Sequence, residues 1–330
     1  MAHAIELGVD TFGDVTLGTD GRQLTQAETL RNVVEQGALA DRVGLDFFGV
    51  GEHHRPDFSI SAPEVMLAAI AARTTRIHLG SAVTVLSTDD PVRVFQRFST
   101  LNAISSGRAE VIVGRGSFTE SFPLFGYDLG QYEALFEEKL NLFVELLKGE
   151  KTIYPPAEGG TLRTWVAVGG SPESVVRAAY YGLPLMLAII GGSPQRFAPW
   201  ADLYRDRLER FGKPPQPIGV HSPGHVADTD EQAKEELWPH YADMMNRIGR
   251  ERGWPPLGRA QFEQAAGPGG ALYCGSPETV AAKIAATATA LGLSRFDLKY
   301  SNGTLPHDIQ MKSLELYGTK VVPLVRDRLG

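Results

Sequence analysis

Short apolar runs rich in β-branched residues alternate with longer segments of helical period along this chain. Eight runs read as strands: residues 4–10, 46–52, 77–86, 109–114, 164–170, 183–190, 216–227 and 295–302. Between them, residues 26–44 place Leu30, Val33, Val34, Gly37, Ala38 and Ala40 on one helical face and stop at Gly44. Residues 131–149 do the same with Leu135, Phe136, Leu140, Phe143, Val144 and Leu147. Strands alternating with helices build parallel βαβ units. Eight such units in roughly 300 residues suggest a (β/α)8 TIM barrel, with a doubly wound open sheet as the competing architecture. The expected organisation is one domain over 1–330, with extended loops at the C-terminal face. Residues 228–275 contain "GWPPLGRAQFEQAAGPGG" and read as an irregular insertion, too rich in Pro and Gly to be one helix.

Composition narrows the function. The chain has 330 residues and a formal net charge of −7, with no basic block to track a nucleic-acid backbone. No window resembles a membrane span and the N-terminus does not read as a signal peptide, so a soluble cytoplasmic protein is expected. A single cysteine, Cys274, excludes an internal disulfide and a cysteine-based zinc site. It ends an apolar run, where a packing role is expected.

Candidate chemistry gathers at the strand ends. The second strand runs into Glu52-His53-His54, an acid and two histidines that suit a metal, an acid/base site or a braced loop. If the strand continues through them, alternation turns Glu52 and His54 away from His53. A metal needs three or four converging ligands, for which His221 and His225 are the remaining candidates, and neither HxH nor HExxH spacing occurs. Arg115 leaves the fourth strand between two glycines, placed for a bidentate grip on phosphate or simply for the surface. Three turns, at 169–174, 191–196 and 274–279, carry Gly-Ser-Pro, the pattern of a capped helix start. The first is the best candidate for an anion site, with Ser171 and Ser174 on one turn. Gly80, Ser81 and Ala82 are small enough for a flat ring to lie against the backbone. The same small residues also suit a loosely packed barrel interior.

Together, "EHH", "GSAVTVLSTDDPVR", "SSGRAEVIVGRGS", "VGGSPES…YYGLPLML" and "LPHDIQMKSLELYGTKVVPLVR" resemble the bacterial-luciferase-like family of flavin-dependent oxidoreductases. The resemblance covers nearly the whole chain and implies the barrel. It implies that Arg115, Ser171, Ser174 and the backbone at Gly170 hold an FMN phosphate, after strands four and five. Glu52, Ala82, Val83, Ser117 and Phe118 would border the flavin ring, with a non-prolyl cis peptide at Ala82–Val83. His53 would be the acid/base group, with Glu52 beside it. The implied activity is a monooxygenase that takes reduced FMN and oxygen through a C4a-(hydro)peroxide to oxidise a small organic substrate. Reduced flavin would come from a separate NAD(P)H:flavin reductase, because no GxGxxG follows a strand. The family also holds deazaflavin-dependent hydride-transfer enzymes and barrels without a cofactor. A metal-dependent hydrolase is the alternative of a different class. A homodimer through residues 26–44 and 63–73 is the family expectation.

Overall fold

Ten strands form the sheet: β1 (Glu6–Thr11), β2 (Phe47–Val50), β3 (His78–Ser81), β4 (Thr84–Val85), β5 (Ala109–Gly114), β6 (Arg163–Val168), β7 (Leu185–Ala188), β8 (Ile218–Val226), β9 (Tyr273–Gly275) and β10 (Arg295–Lys299). They come from a computed structural model that describes residues 5–330, so Ala4 of the first expected strand lies outside the described residues. Every pairing is parallel. β10 pairs with both β1 and β8, which closes the sheet into an eight-stranded barrel. The open-sheet alternative is thereby excluded. All eight expected strands are present. The third divides at Ala82–Val83, whose peptide bond is cis, into β3 and β4. β9 is a short addition beside β8 that the sequence pattern does not predict.

The helices are α1 (Gln26–Arg42), α2 (Pro63–Ala71), α3 (Pro91–Ile104), α4 (Ser121–Leu124), α5 (Tyr132–Leu147), α6 (Pro172–Tyr181), α7 (Ala198–Arg210), α8 (Asp230–Arg252), α9 (Arg259–Ala266), α10 (Pro277–Leu291), α11 (His307–Leu316) and α12 (Val322–Leu329). Local chemistry sets their starts. Thr25 and Glu28 form a capping box before α1, and Asp90 accepts from the backbone N–H of Val92 and Arg93 at the start of α3. The helices bury their apolar faces against the outside of the barrel, where Phe48, Leu79, Val111, Phe143, Val220 and Leu298 belong to one continuous core.

The 228–275 segment corrects the sequence reading. Its first half is a 23-residue helix, capped by Thr229 and carrying Pro239 internally. Ala233, Leu237, Tyr241, Met244 and Ile248 recur at helical spacing and are buried, and that burial outweighs the missing proline N–H. The Pro/Gly-rich composition belongs only to the stretch from Gly253 onward, which itself contains α9 and β9.

Candidate active site

Charged residues fill the lower barrel interior. The fully buried Arg295 guanidinium lies 3.4 Å from the Phe47 ring centroid. Its Nη1 donates to Glu110 Oε2 at 2.6 Å, and its Nε donates to both oxygens of Asp297 at 2.9 Å. Trp165 Nε1 adds a bond of 3.1 Å to Glu110. Burial alone would push the Glu110 carboxyl up, but Arg295, His78 and Arg163 hold it well below the usual carboxylate range. Such a cluster is viable in a buried place because each charge is paired. Arg295 and Glu110 lie at the starts of β10 and β5, and the open space lies toward the other ends of the strands.

That space is a cavity of about 410 Å³. Its lining comes from strand ends all round the barrel, including Asp10, Glu52, His53, Ala82, Val83, Arg115, Ser117, Phe118, Gly169, His221 and Lys299. β2 ends at Val50, so the Glu52-His53-His54 run follows the strand rather than continuing it, and Glu52 and His53 both line the cavity. Glu52 Oε1 pairs with His54 Nε2 at 2.9 Å, and Glu52 Oε2 accepts from Val85 N–H at 2.8 Å. The acid therefore braces the segment that carries Ala82 and Val83. His53 turns the other way and packs among Phe12, Phe58 and Phe118, with ring centroids at 4.4, 4.6 and 5.2 Å. Burial among these rings, with Lys299 and Arg55 nearby, pushes its imidazole down to about 3. His53 is accordingly a neutral imidazole in the cavity wall.

At the opposite wall, Gly169 lines the cavity, while Gly170, Ser171 and Ser174 sit just beyond the lining. Ser171 caps α6, its hydroxyl accepting from Ser174 N–H at 3.2 Å and donating to Ser174 Oγ at 2.8 Å. Gly170 has a φ of 119°, a conformation that favours glycine. Arg115 pairs with Glu133, whose other oxygen lies 3.4 Å from Arg177 on α6. Glu133 thus bridges Arg115, which lines the cavity, and Arg177 on the helix that the serine turn begins, while Arg115 and the serines make no direct contact. Of the other two Gly-Ser-Pro turns, Ser276 caps α10 and meets Asp230, and Ser193 begins a short 3-10 turn with no side-chain cap. Neither turn lines the cavity.

Several lining groups carry no motif that marks them in the sequence. Asp10 and His221 form a pair 2.7 Å apart between β1 and β8. Tyr241, Met244, Met245 and Ile248, on one face of α8, wall the cavity's upper part. Arg55 joins three mouth segments, meeting Asp57 at 3.1 Å, Glu251 at 2.6 Å, and Glu120. Arg177 joins the Arg115 edge. The sequence offers His221 only as a metal ligand, and the Pro- and Gly-rich stretch after Gly253 masks the α8 face. The stripe at 241, 244, 245 and 248 was the available signal. His225 is fully buried and bonds Glu236 at 2.7 Å, away from His53. Among the described residues no group of three His, Cys, Asp or Glu side chains is disposed to hold a metal. Cys274 is buried, with its thiol pushed up to about 12, the packing role expected of it.

Comparison with known proteins agrees with this architecture. The luciferase-like monooxygenase family matches residues 11–295. The alkanal monooxygenase alpha chain of Photorhabdus laumondii is 28% identical over 219 residues, covering 61% of this chain and 60% of the relative. The alignment thus spans about three-fifths of that relative's length. Among solved structures, the oxygenating constituent of 3,6-diketocamphane monooxygenase from Pseudomonas putida, in complex with FMN, superimposes with a TM-score of 0.78 at 20% identity. It covers 98% of this chain and 99% of that one. An F420-dependent secondary alcohol dehydrogenase gives 0.75 at 16% identity, covering 98% and 99%. At these identities the structures establish the shared fold. With the family match running from the end of the first strand to the start of the last, this chain belongs to the luciferase-like monooxygenase family.

Proposed function

We propose that the protein is a flavin-dependent monooxygenase that uses reduced FMN and oxygen to oxidise a small organic substrate. The observation that carries this reading is an apolar slot lined at one side by Arg115 and Gly169, with the serine turn that begins α6 directly after Gly169 in the chain. The slot has Ala82, Val83 and Ile112 on its wall, an apolar surface that suits a ring system. The turn has the Ser171 and Ser174 hydroxyls at the N-terminus of the ten-residue α6, and two arginines are already gathered on a carboxylate. A buried Arg177 Nη1 without a partner among the described residues adds a donor there. These residues fit a flavin mononucleotide, with Arg115, Gly170, Ser171 and Ser174 toward the phosphate and Glu52, Ala82, Val83, Ser117 and Phe118 toward the ring.

Bound reduced flavin supplies the electrons that activate oxygen. The chain's own part is positioning and exclusion. Phe12, Phe58 and Phe118 keep water from the slot. His53, neutral at working pH, accepts a hydrogen bond or a proton from a group beside it and returns it without leaving a stable cation in the wall. Glu52 acts by holding the Val85 backbone and His54, a positioning role rather than the catalytic one the sequence suggested. A separate flavin reductase in the same cytoplasmic compartment, and a homodimer through α1 and α2, complete the proposal. The FMN-bound and F420-dependent structural neighbours support a flavin or deazaflavin on this barrel.

Anaerobic titration with reduced FMN and, separately, reduced deazaflavin tests the reading. Saturable binding of reduced FMN, followed by substrate-dependent oxygen uptake, is expected. Binding of the deazaflavin alone makes the protein a hydride-transfer enzyme, and binding of neither overturns the cofactor assignment.

A further inference from the structure

We infer that Asp10 and His221 form the base that takes a proton from the organic substrate, and that this substrate is a largely apolar molecule bearing a weakly acidic hydroxyl of the phenol or enol class. The inference rests on the proposed function in taking the cavity as the place where substrate binds and that activity as the source of activated oxygen, while the proton transfer itself needs neither flavin nor oxygen.

Geometry singles out the pair. Asp10 is buried near the end of β1, and His221 lies in β8, both lining the cavity. His221 Nδ1 donates to Asp10 Oδ2 at 2.7 Å. The other Asp10 oxygen has no partner among the described residues, so this imidazole is the donor that serves the carboxylate. With Nδ1 committed, Nε2 carries the lone pair, and no group among the described residues satisfies it. Phe12 stacks on the imidazole with centroids 6.1 Å apart and keeps the ring oriented. A buried carboxylate behind an imidazole fixes its tautomer and stabilises the imidazolium that forms on proton uptake.

Other cavity groups are engaged. Both Glu52 oxygens are taken by His54 and Val85, and both Asp297 oxygens by Arg295. Among the described residues His53 has no carboxylate behind it. The groups facing His221 are Asp10 on β1 and, from its neighbouring strands, Asp297 and Lys299 on β10 and the uncharged Ala188 on β7. Lys299 is held by Asp14 at 3.2 Å. His221 is thus the imidazole with both a free lone pair and a counter-charge.

The same inventory limits the substrate. Lys299 is already paired with Asp14 and Arg252 is exposed to solvent, so among the described residues no unpaired cation waits for a carboxylate beside His221. Met186, Met244 and Ile248 favour an apolar skeleton. Nε2 calls for a hydrogen-bond donor. In the step, the substrate O–H bond breaks, its electron pair stays on oxygen, and the proton forms an N–H bond at Nε2. The resulting oxyanion enriches the adjacent carbon for attack on activated oxygen, which the proposed activity supplies.

p-Nitrophenol tests this on the protein without flavin, because its anion has a visible band. Bound to wild type, it should ionise about tenfold more than in solution at the same pH, roughly one pK unit. His221→Gln should remove the shift and Asp10→Asn should reduce it, while p-nitroanisole, which has no proton to give, binds wild type and His221→Gln alike. Absence of nitrophenol binding, ionisation as in solution, or a shift retained in His221→Gln would overturn the inference. Reduced FMN titrated into the same proteins separates the two readings. A nitrophenol shift without flavin binding leaves the pair standing and removes the cofactor assignment, and flavin binding without the shift does the reverse.

Discussion

Replacing Glu52 by alanine removes the acceptor of two hydrogen bonds, from Val85 N–H at 2.8 Å and from His54 Nε2 at 2.9 Å. Both donors lie where water has little access, since Val85 is 5% exposed and the His54 side chain 10%. A hydrogen bond to a charged group contributes about 1.5–3 kcal/mol, and a buried donor left unsatisfied forfeits that and more. Some of the loss is recovered as His54 turns toward the mouth, which leaves about 3 kcal/mol, a factor of roughly a hundred in the folding equilibrium. Glu52→Gln retains an acceptor for Val85 and offers its amide to a His54 that can switch tautomer, so about 1 kcal/mol is expected. Urea unfolding at unchanged m-value measures both. Glu52→Gln should also bind reduced FMN nearly as wild type does, because the Ala82–Val85 segment stays in place. Glu52 loses its positioning role if alanine costs less than about 1 kcal/mol, or if glutamine and alanine cost the same.

Arg115→Ala should weaken reduced FMN binding by about 1.5–3 kcal/mol and leave reduced riboflavin, which lacks the phosphate, unaffected; equal effects on both would remove Arg115 from the phosphate edge. His53 should remain neutral throughout ordinary pH, its ring carbon resonance showing no titration above pH ~5. Because the unfolded chain protonates this histidine near pH 6.5 and the folded one only near 3, the unfolded state binds the extra proton between those values. Stability should thus fall as pH drops through that window, and His53→Phe should flatten the fall. An identical pH profile in the variant would refute it. Arg55→Met unties Glu120 and Glu251 from the 53–59 loop, so local opening should become easier by about 2 kcal/mol and protease cleavage within 115–130 about thirtyfold faster. Unchanged cleavage would show that the aromatic packing around Phe118 alone closes the mouth.

Much of the barrel is legible in the sequence because eight short runs with buried apolar residues alternate with helical segments, even where the barrel interior is charged, as at Glu110, Arg295 and Asp297. The arrangement of Glu52, His53 and His54 is less legible, because β2 ends at Val50 and the three residues follow it outside the two-residue period of a strand. Features that depend on partners distant in sequence escape. β9 has three residues and borrows its ladder from β8, so it leaves almost no pattern of its own. Asp10 and His221 are 211 residues apart, and neither sits in a motif. They meet only because β10 sits between β1 and β8 when the barrel closes. The long α8 is obscured for a different reason. Its own residues carry a clear apolar stripe, but the Pro- and Gly-rich stretch after Gly253 colours the average composition of the whole segment.

The histidines show why residue type at a strand end is too coarse a guide to chemistry. His53 and His54 are adjacent in sequence, yet the Glu52 carboxylate serves His54, and the ring system of Phe12, Phe58 and Phe118 surrounds His53. The carboxylate on the far side of Phe12 serves His221. Phe12 therefore touches two imidazoles of opposite character: one kept neutral by burial and neighbouring cations, the other hydrogen-bonded to a carboxylate. An arrangement of this kind separates two proton positions within one apolar cavity without any charge passing between them. A reaction that must both withhold protons from one reacting group and remove one from another needs that separation, and a single histidine cannot provide it. Exchanging the environments tests the point more sharply than deleting either ring. Phe58→Asp would bring a carboxylate to the aromatic face of His53, which should then titrate within the ordinary histidine range while the Asp10–His221 contact persists. If His53 stayed neutral beside that new carboxylate, burial alone would govern its state, and the carboxylate placement would lose its explanatory role.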